Sequence, residues 1–147
     1  MHVERATEAD TQTISEILGE VEAYYGGNNT PADQTQIRTA LFGGGPAATV
    51  LLAREGDTVL GLASFSLLWP AAGAESSLYL KELFVRENAR RRGVARQLMA
   101  AVRAEADTAR CTRVEWTADR DNPPALALYQ ALGFQQHNGK AFYRWEA

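Results

Sequence analysis

The chain has 147 residues, a formal net charge of −3, 46% hydrophobic and 22% charged residues, and one cysteine, Cys111. That is enough sequence for one domain with a real core, read as a single domain over 1–147, and its composition is that of a soluble protein. It excludes an internal disulfide and a multi-cysteine metal site, and no apolar run approaches the ~20 residues of a membrane span. With only His2 and His137 to add, no metal site is expected. The opening "MHVERATEAD" is charged from the start and reads as no signal peptide, so a reducing cytoplasm is the expected location.

Charge is unevenly distributed. Residues 1–36 hold seven acids (Glu4, Glu8, Asp10, Glu16, Glu20, Glu22, Asp33) against one base, Arg5. From Lys81 onward there are twelve bases against eight acids. The first part is expected to attract a cation and the second a polyanion.

In chain order, "MHVERA" predicts a short strand. Ile14, Ile17, Leu18, Val21 and Tyr25 follow helical spacing, with Thr7 and Asp10 as the start signal and "GGNN" as the stop. Thr30-Pro31-Ala32-Asp33 predicts a second helix start with proline at its first position, ending at Gly43-Gly44-Gly45. "ATVLLAR" and "TVLGLASFSLLW", separated by "EGD", read as a hairpin, and "SLYLKELFV" as the next strand. A helix over 94–109, the strand "RVEWTA" and a helix from Pro123-Pro124 through Leu132 follow. "FQQHNGKAFYRW" predicts two short strands about Asn138-Gly139. The order β-α-α-β-β-β-α-β-α-β-β predicts an α/β (mixed α+β) fold with a mixed sheet of about seven strands and four helices.

The stretch "RENARRRGVARQLM" joins a strand to a helix start and concentrates three arginines before Gly93. Charge runs are usually solvated surface. Here, however, free N–H groups and the positive end of a helix dipole make an anion site, and Gly93 and Ala95 let a phosphate approach the backbone. Arg90, Arg91, Arg92 and Arg96 add charged donors. Neither a P-loop nor a Gly-x-Gly-x-x-Gly is present.

Arg90-x-x-Gly93-x-Ala95 after "YLKELFV", followed by "NPPALALYQALGF" over 122–134, resembles the two signatures of the GNAT superfamily of acetyl-CoA-dependent N-acetyltransferases. The resemblance runs along almost the whole chain, and within the superfamily the diamine and thialysine N-acetyltransferases are the most similar subgroup. It implies acetyl-CoA as cosubstrate, held between splayed fourth and fifth strands, "YLKELFV" and "RVEWTA". It further implies that backbone amides from Arg91 through Val94, Ala95 and Arg96 hold the pyrophosphate. Leu83, Phe84 and Val85 would pair with the pantetheine arm, Asn122 and Ala125 would contact the cofactor, and Tyr129 would be the general acid. A phenol titrating near ~10 can protonate a thiolate whose thiol titrates near ~8.5.

An alkylammonium acceptor must lose a proton first. The subgroup carries an adjacent acidic pair on this strand; here the first member is Lys81 and only Glu82 remains. Regular alternation puts Tyr79, Lys81 and Leu83 on one face and Glu82 on the other, so either Glu82 or a water chain is left as the base. On the acceptor side, Glu20, Glu22, Tyr24, Tyr25, Trp69 and Lys81 are the candidates, since acids and aromatic faces attract ammonium groups. Tyr25 stands near where the subgroup has an acid, which argues against a polyamine.

Together these imply direct acetyl transfer to a primary amine of a small cationic amine, amino acid or amine-bearing antibiotic, with no acetyl-enzyme. A protein N-terminal or lysine acetyltransferase and a non-catalytic acyl-CoA-binding module are the alternatives. A homodimer is expected, and neither nucleic acid nor membrane as partner: net charge is negative and no aromatics interleave the arginines.

Overall fold

One sheet runs in strand order β1-β2-β3-β4-β5: β1 (His2–Arg5), β2 (Thr49–Glu55), β3 (Thr58–Leu68), β4 (Ser77–Val85) and β5 (Arg113–Glu115). This computed structural model describes all 147 residues, in two units, Met1–Trp116 and Thr117–Ala147. The first unit holds the sheet with α1 (Thr11–Tyr24), α2 (Gln34–Phe42) and α3 (Val94–Thr108); the second holds α4 (Pro123–Ala131). Strands β1 to β4 pair antiparallel, and β5 joins β4 in parallel after the α3 crossover, as the element order requires. No helix is long and apolar enough to cross a membrane.

The expected count of about seven strands is corrected to five. Residues 134–147 form no strand around Asn138-Gly139. A two-stranded hairpin is marginal in water, and "QQHNGK" offers no alternating apolar face to hold one in register. The second helix also starts later than expected. Asp33 caps it by accepting the Gln36 N–H at 2.8 Å, which leaves Pro31 outside. Residues before the cap are strapped to α1 instead: the Ala32 N–H donates to the Ser15 carbonyl and the Ser15 hydroxyl to the Ala32 carbonyl. Gly19 permits this strap, since a Cβ there would lie 2.7 Å from the Asn29 side-chain oxygen and 2.8 Å from the Thr30 carbonyl oxygen.

Two apolar layers sandwich the sheet. Ile14, Ile17 and Val21 of α1 and Ile37 of α2 are buried with Leu52, Leu62 and Phe84. α3 packs on β2, β3 and β4 and buries Val94, Leu98, Met99, Val102 and Ala106. Each fully buried aliphatic side chain of this kind contributes about 1.5–3 kcal/mol. Gly61 sets how close α3 comes: a Cβ there would meet the Phe84 carbonyl oxygen at 2.6 Å and a Val94 methyl at 3.4 Å.

Regular alternation fails in β4. Ser64 of β3 pairs with Glu82, yet its neighbour Phe65 pairs with Leu80. Lys81 is therefore an extra residue, a β-bulge, and the side chains beyond it change sides. Tyr79, Glu82 and Phe84 share the face toward α1, while Leu80 and Leu83 share the face toward α3. The expected grouping of Tyr79 with Leu83, opposite Glu82, is overturned.

Candidate active site

Beyond β4 the chain makes a 3-10 turn at Glu87–Ala89 and enters α3 through Arg90–Gly93. Arg91 (φ 62°) and Gly93 (φ 78°) are both left-handed. Nothing lies within 4 Å of a Cβ built at Gly93, so conformation rather than crowding favours glycine there. Gly93 is the N-cap of α3; no side chain caps this end and no acid stands in its first turn. The N–H groups of Val94, Ala95 and Arg96 thus have no helical acceptor. With the helix dipole behind them they form a site suited to a phosphate, which fits the pyrophosphate of acetyl-CoA.

The arginines divide their duties. Arg92 donates to both carboxylate oxygens of Glu55 at 2.8 Å. Arg90 donates its Nε–H to the Val85 carbonyl at 3.1 Å, and its guanidinium lies 5.3 Å from the Tyr24 ring centre and 5.6 Å from that of Phe84. Arg91 and Arg96 are exposed beside the amides. The side chains of Arg90 and Arg92, expected at the phosphate, are thus engaged elsewhere.

β5 pairs only with Ser77, Leu78 and Tyr79. Leu83, Phe84 and Val85 continue past its end, so β4 has no β5 partner where an extended ligand arm is expected to lie alongside.

Three of the seven early acids are neutralised by arginines. Arg54 pairs with Glu4 and Asp10, each at 2.5 Å, and Arg86 grips Glu20 with two hydrogen bonds of 3.2 and 2.8 Å. Burial pushes the Asp10 carboxyl up, but the Thr7 N–H and the Arg54 guanidinium together hold it below the ordinary range. Glu20 is therefore committed to anchoring α1 to the end of β4. Glu22 acts instead on another acid. Burial pushes the half-buried Glu82 carboxyl above the usual carboxylate range, and the negative charge of Glu22 adds to this against the opposing Leu83 N–H and Lys81.

Aromatic rings continue the group. Tyr24 meets Tyr25 edge-on at 5.1 Å and Phe84 at 6.1 Å. Glu22, Tyr24 and Tyr25 at the end of α1 are thus gathered with Glu82 and Phe84 of β4. Lys81 is exposed at the bulge. Trp69 lies apart: it follows Leu68, which pairs with Ser77, seven residues down β4 from Phe84, roughly 20 Å at strand rise. Its indole N–H donates to the Ala74 carbonyl at 2.8 Å. Burial pushes the Cys111 thiol up, which disfavours a thiolate nucleophile.

In the second unit Asn122 caps α4, accepting the Ala125 and Leu126 N–H groups on its carbonyl at 3.2 and 3.3 Å. Ala125 and Tyr129, four residues apart, lie on one stripe of the helix. The Tyr129 carbonyl accepts the Phe134 N–H at 3.0 Å just after the left-handed Gly133.

Sequence reading missed the bulge and Gly61. The bulge leaves a trace: apolar residues at 78, 80, 83 and 85 slip by one across Lys81-Glu82.

Comparison with known proteins shows the family of the chain. The model of the acetyltransferase (GNAT) family matches residues 15–134, across both units. Aminoglycoside N(6')-acetyltransferase type 1 of Salmonella typhimurium is 35% identical over 74 residues, 49% of this chain and 51% of that protein. L-ornithine N5-acetyltransferase NATA1 of Arabidopsis thaliana is 32% identical over 77 residues, 52% of this chain and 34% of that protein. The chain thus matches about half or less of the length of these curated relatives. Among solved structures, an integron cassette protein from the mobile metagenome of V. cholerae superposes with a TM-score of 0.85 at 31% identity, covering 99% of this chain and 92% of that one. An aminoglycoside acetyltransferase from an uncultured soil metagenomic sample shares the fold at 19% identity, with a TM-score of 0.80 over 98% of this chain and 95% of that one. With both signatures, the mixed sheet and a family match over most of its length, the chain belongs to the acetyltransferase (GNAT) family.

Proposed function

We propose that the protein moves an acetyl group from acetyl-CoA to a primary amine of a small cationic molecule, in the class of amines, amino acids and amine-bearing antibiotics. The observation that carries this reading is the Glu82 carboxyl, half-buried and raised in pKa beside Glu22. A carboxylate of raised basicity is suited to take a proton from an ammonium group. Two acids beside exposed tyrosines also attract a cation. The uncapped start of α3 and the family membership support acetyl-CoA as the other substrate.

Acetyl-CoA supplies an acetyl group activated as a thioester. Around it, the amides of residues 91–96 would hold the pyrophosphate, and the backbones of Leu83, Phe84 and Val85 the pantetheine arm. Asn122 and Ala125 would contact the cofactor. Glu82 would accept the ammonium proton as the amine attacks. Backbone N–H groups of β4 would stabilise negative charge on the carbonyl oxygen, and the Tyr129 hydroxyl would protonate the departing sulfur. Relatives named for aminoglycoside and ornithine acetylation support a small acceptor rather than a protein. The reading includes a single 147-residue domain, a cytoplasmic setting consistent with one cysteine, and a homodimer that light scattering would reveal.

The test is a screen of amines for free-thiol release from acetyl-CoA, with aminoglycosides, ornithine, diamines and lysine- or N-terminal peptides side by side. Turnover of a small amine at ten times or more the kcat/KM of any peptide is expected. A preference for peptides would overturn the acceptor class. Acetyl-CoA binding without turnover of any amine would make the protein a binding module.

A further inference from the structure

We infer that Arg90 is a positioning residue that ties the pyrophosphate loop to the acceptor end of α1, and that its side chain is not a phosphate ligand. The inference deepens the proposed function and rests on acetyl-CoA binding at residues 91–96. Arg90 stands first in the glycine-loop signature, directly before the left-handed Arg91, so a phosphate contact is the simplest expectation from sequence. Its contacts say otherwise. The Nε–H donates to the Val85 carbonyl at 3.1 Å, which fixes the guanidinium plane against the end of β4. From there it packs on Tyr24 and Phe84 at 5.3 and 5.6 Å, and those rings meet each other edge-on at 6.1 Å. A planar cation held by one hydrogen bond and two ring faces cannot reach a phosphate without giving up all three.

The consequence is a mechanical link. Arg90 is one residue from the left-handed Arg91 and three from Gly93, so whatever orders the loop backbone also orders the guanidinium. Tyr24 is two residues from Glu22, and Phe84 two from Glu82. Filling the phosphate cradle therefore stiffens the end of α1, where the acceptor cation is expected. Arg86, gripping Glu20 one turn earlier, holds the start of this turn and leaves Arg90 to hold its end.

Two readouts separate this from a phosphate contact. In hydrogen exchange on the full chain, coenzyme A is expected to protect the amides of 91–96 and, through Arg90, those of 22–27. In Arg90→Ala and in Tyr24→Leu, protection should remain at 91–96 and vanish at 22–27. In turnover, Arg90→Ala, which loses both cation–π contacts, should raise the acceptor KM about tenfold, and Tyr24→Leu, which loses one of them, about threefold. The coenzyme A dissociation constant should stay within about twofold, and the double variant should be no worse than Arg90→Ala alone. Tyr24→Phe keeps the ring that Arg90 packs on and should retain the protection at 22–27, and circular dichroism should show both single variants folded.

Coenzyme A affinity falling tenfold in Arg90→Ala would make Arg90 a ligand and overturn the inference. So would protection at 22–27 that persists without Arg90, or that is absent from wild type while 91–96 are protected. If coenzyme A leaves 91–96 unprotected in wild type, the proposed function fails first and takes this inference with it. If coenzyme A protects both segments but no amine turns over, the link stands and the enzyme reading alone is lost.

Discussion

Glu82 on β4 carries a carboxyl raised above its ordinary pKa by burial and by the charge of Glu22 on α1. The acid limb of kcat/KM should therefore lie above the ~4.3 of an ordinary glutamate. Glu82→Gln should lower kcat by about 10²- to 10⁴-fold and remove that limb. Glu22→Gln should move it to lower pH, since one like charge is gone. Stability follows the same sign: the folded state binds the Glu82 proton more tightly than the unfolded chain does. Stability should then decline as pH rises from the unfolded value through the folded one, and Glu82→Gln should abolish this slope. Thermal melts across pH check it. An unchanged acid limb in Glu82→Gln would place the base elsewhere.

Gly93 is left-handed at φ 78° with open space where a Cβ would stand. Gly93→Ala should cost about 1 kcal/mol of stability through backbone strain alone. Gly93→Glu adds a negative charge at the helix start and should in addition abolish binding of coenzyme A. Calorimetry on the folded variants distinguishes the two. Equal affinity for coenzyme A in Gly93→Glu and wild type would remove the phosphate from this loop.

Tyr129→Phe removes only a hydroxyl. Coenzyme A affinity should persist, while kcat and kcat/KM fall together by about 10²- to 10⁴-fold, as for a proton needed only when the sulfur departs. Steady-state kinetics under conditions where chemistry limits the rate provide the check. A near-normal kcat in the Phe variant would reduce Tyr129 to a packing residue.

Gly61 holds β3 beneath both Phe84 and Val94. Gly61→Ala places a methyl 2.6 Å from the Phe84 carbonyl oxygen, and overpacking of this kind costs about 1–3 kcal/mol. Because Phe84 and Val94 flank the loop, coenzyme A affinity should fall as well. Urea melts and calorimetry on one variant should show both losses. A fully stable Gly61→Ala would mean that β3 and β4 separate without penalty.

Most of the scaffold was legible because its signals are local. The span "SLYLKELFV" forms β4 as read, and Val94, Leu98 and Val102 declared the buried stripe of α3. Capping was partly legible: Thr7 and Asp10 do pair, the Thr7 N–H donating to the Asp10 carboxylate at 2.8 Å. Asp33 beat Thr30 for the second start because its carboxylate reaches the Gln36 N–H. What sequence could not show depends on distant partners. The acids of the first 36 residues looked like a cation-seeking surface until Arg54 and Arg86 neutralised three of them. Arg90 and Arg92 looked like phosphate ligands until Tyr24, Phe84 and Glu55 claimed them. The face of Glu82 was misread for a different reason: counting by twos along a strand fails at any residue that the partner strand skips.

That skipped residue, Lys81, has a consequence for how this strand can change over generations. Side chains before and after it hold their sides of the sheet independently of whether it is present. A deletion at Lys81 would leave Leu80 and Glu82 as ordinary alternating neighbours, with Glu82 still turned toward α1. A deletion at any other interior position of β4 would reverse every side chain on one flank. The strand thus contains a single hinge of length at which insertion or loss is silent for the acid. Comparing related chains column by column across this point would mistake a shifted glutamate for a lost one.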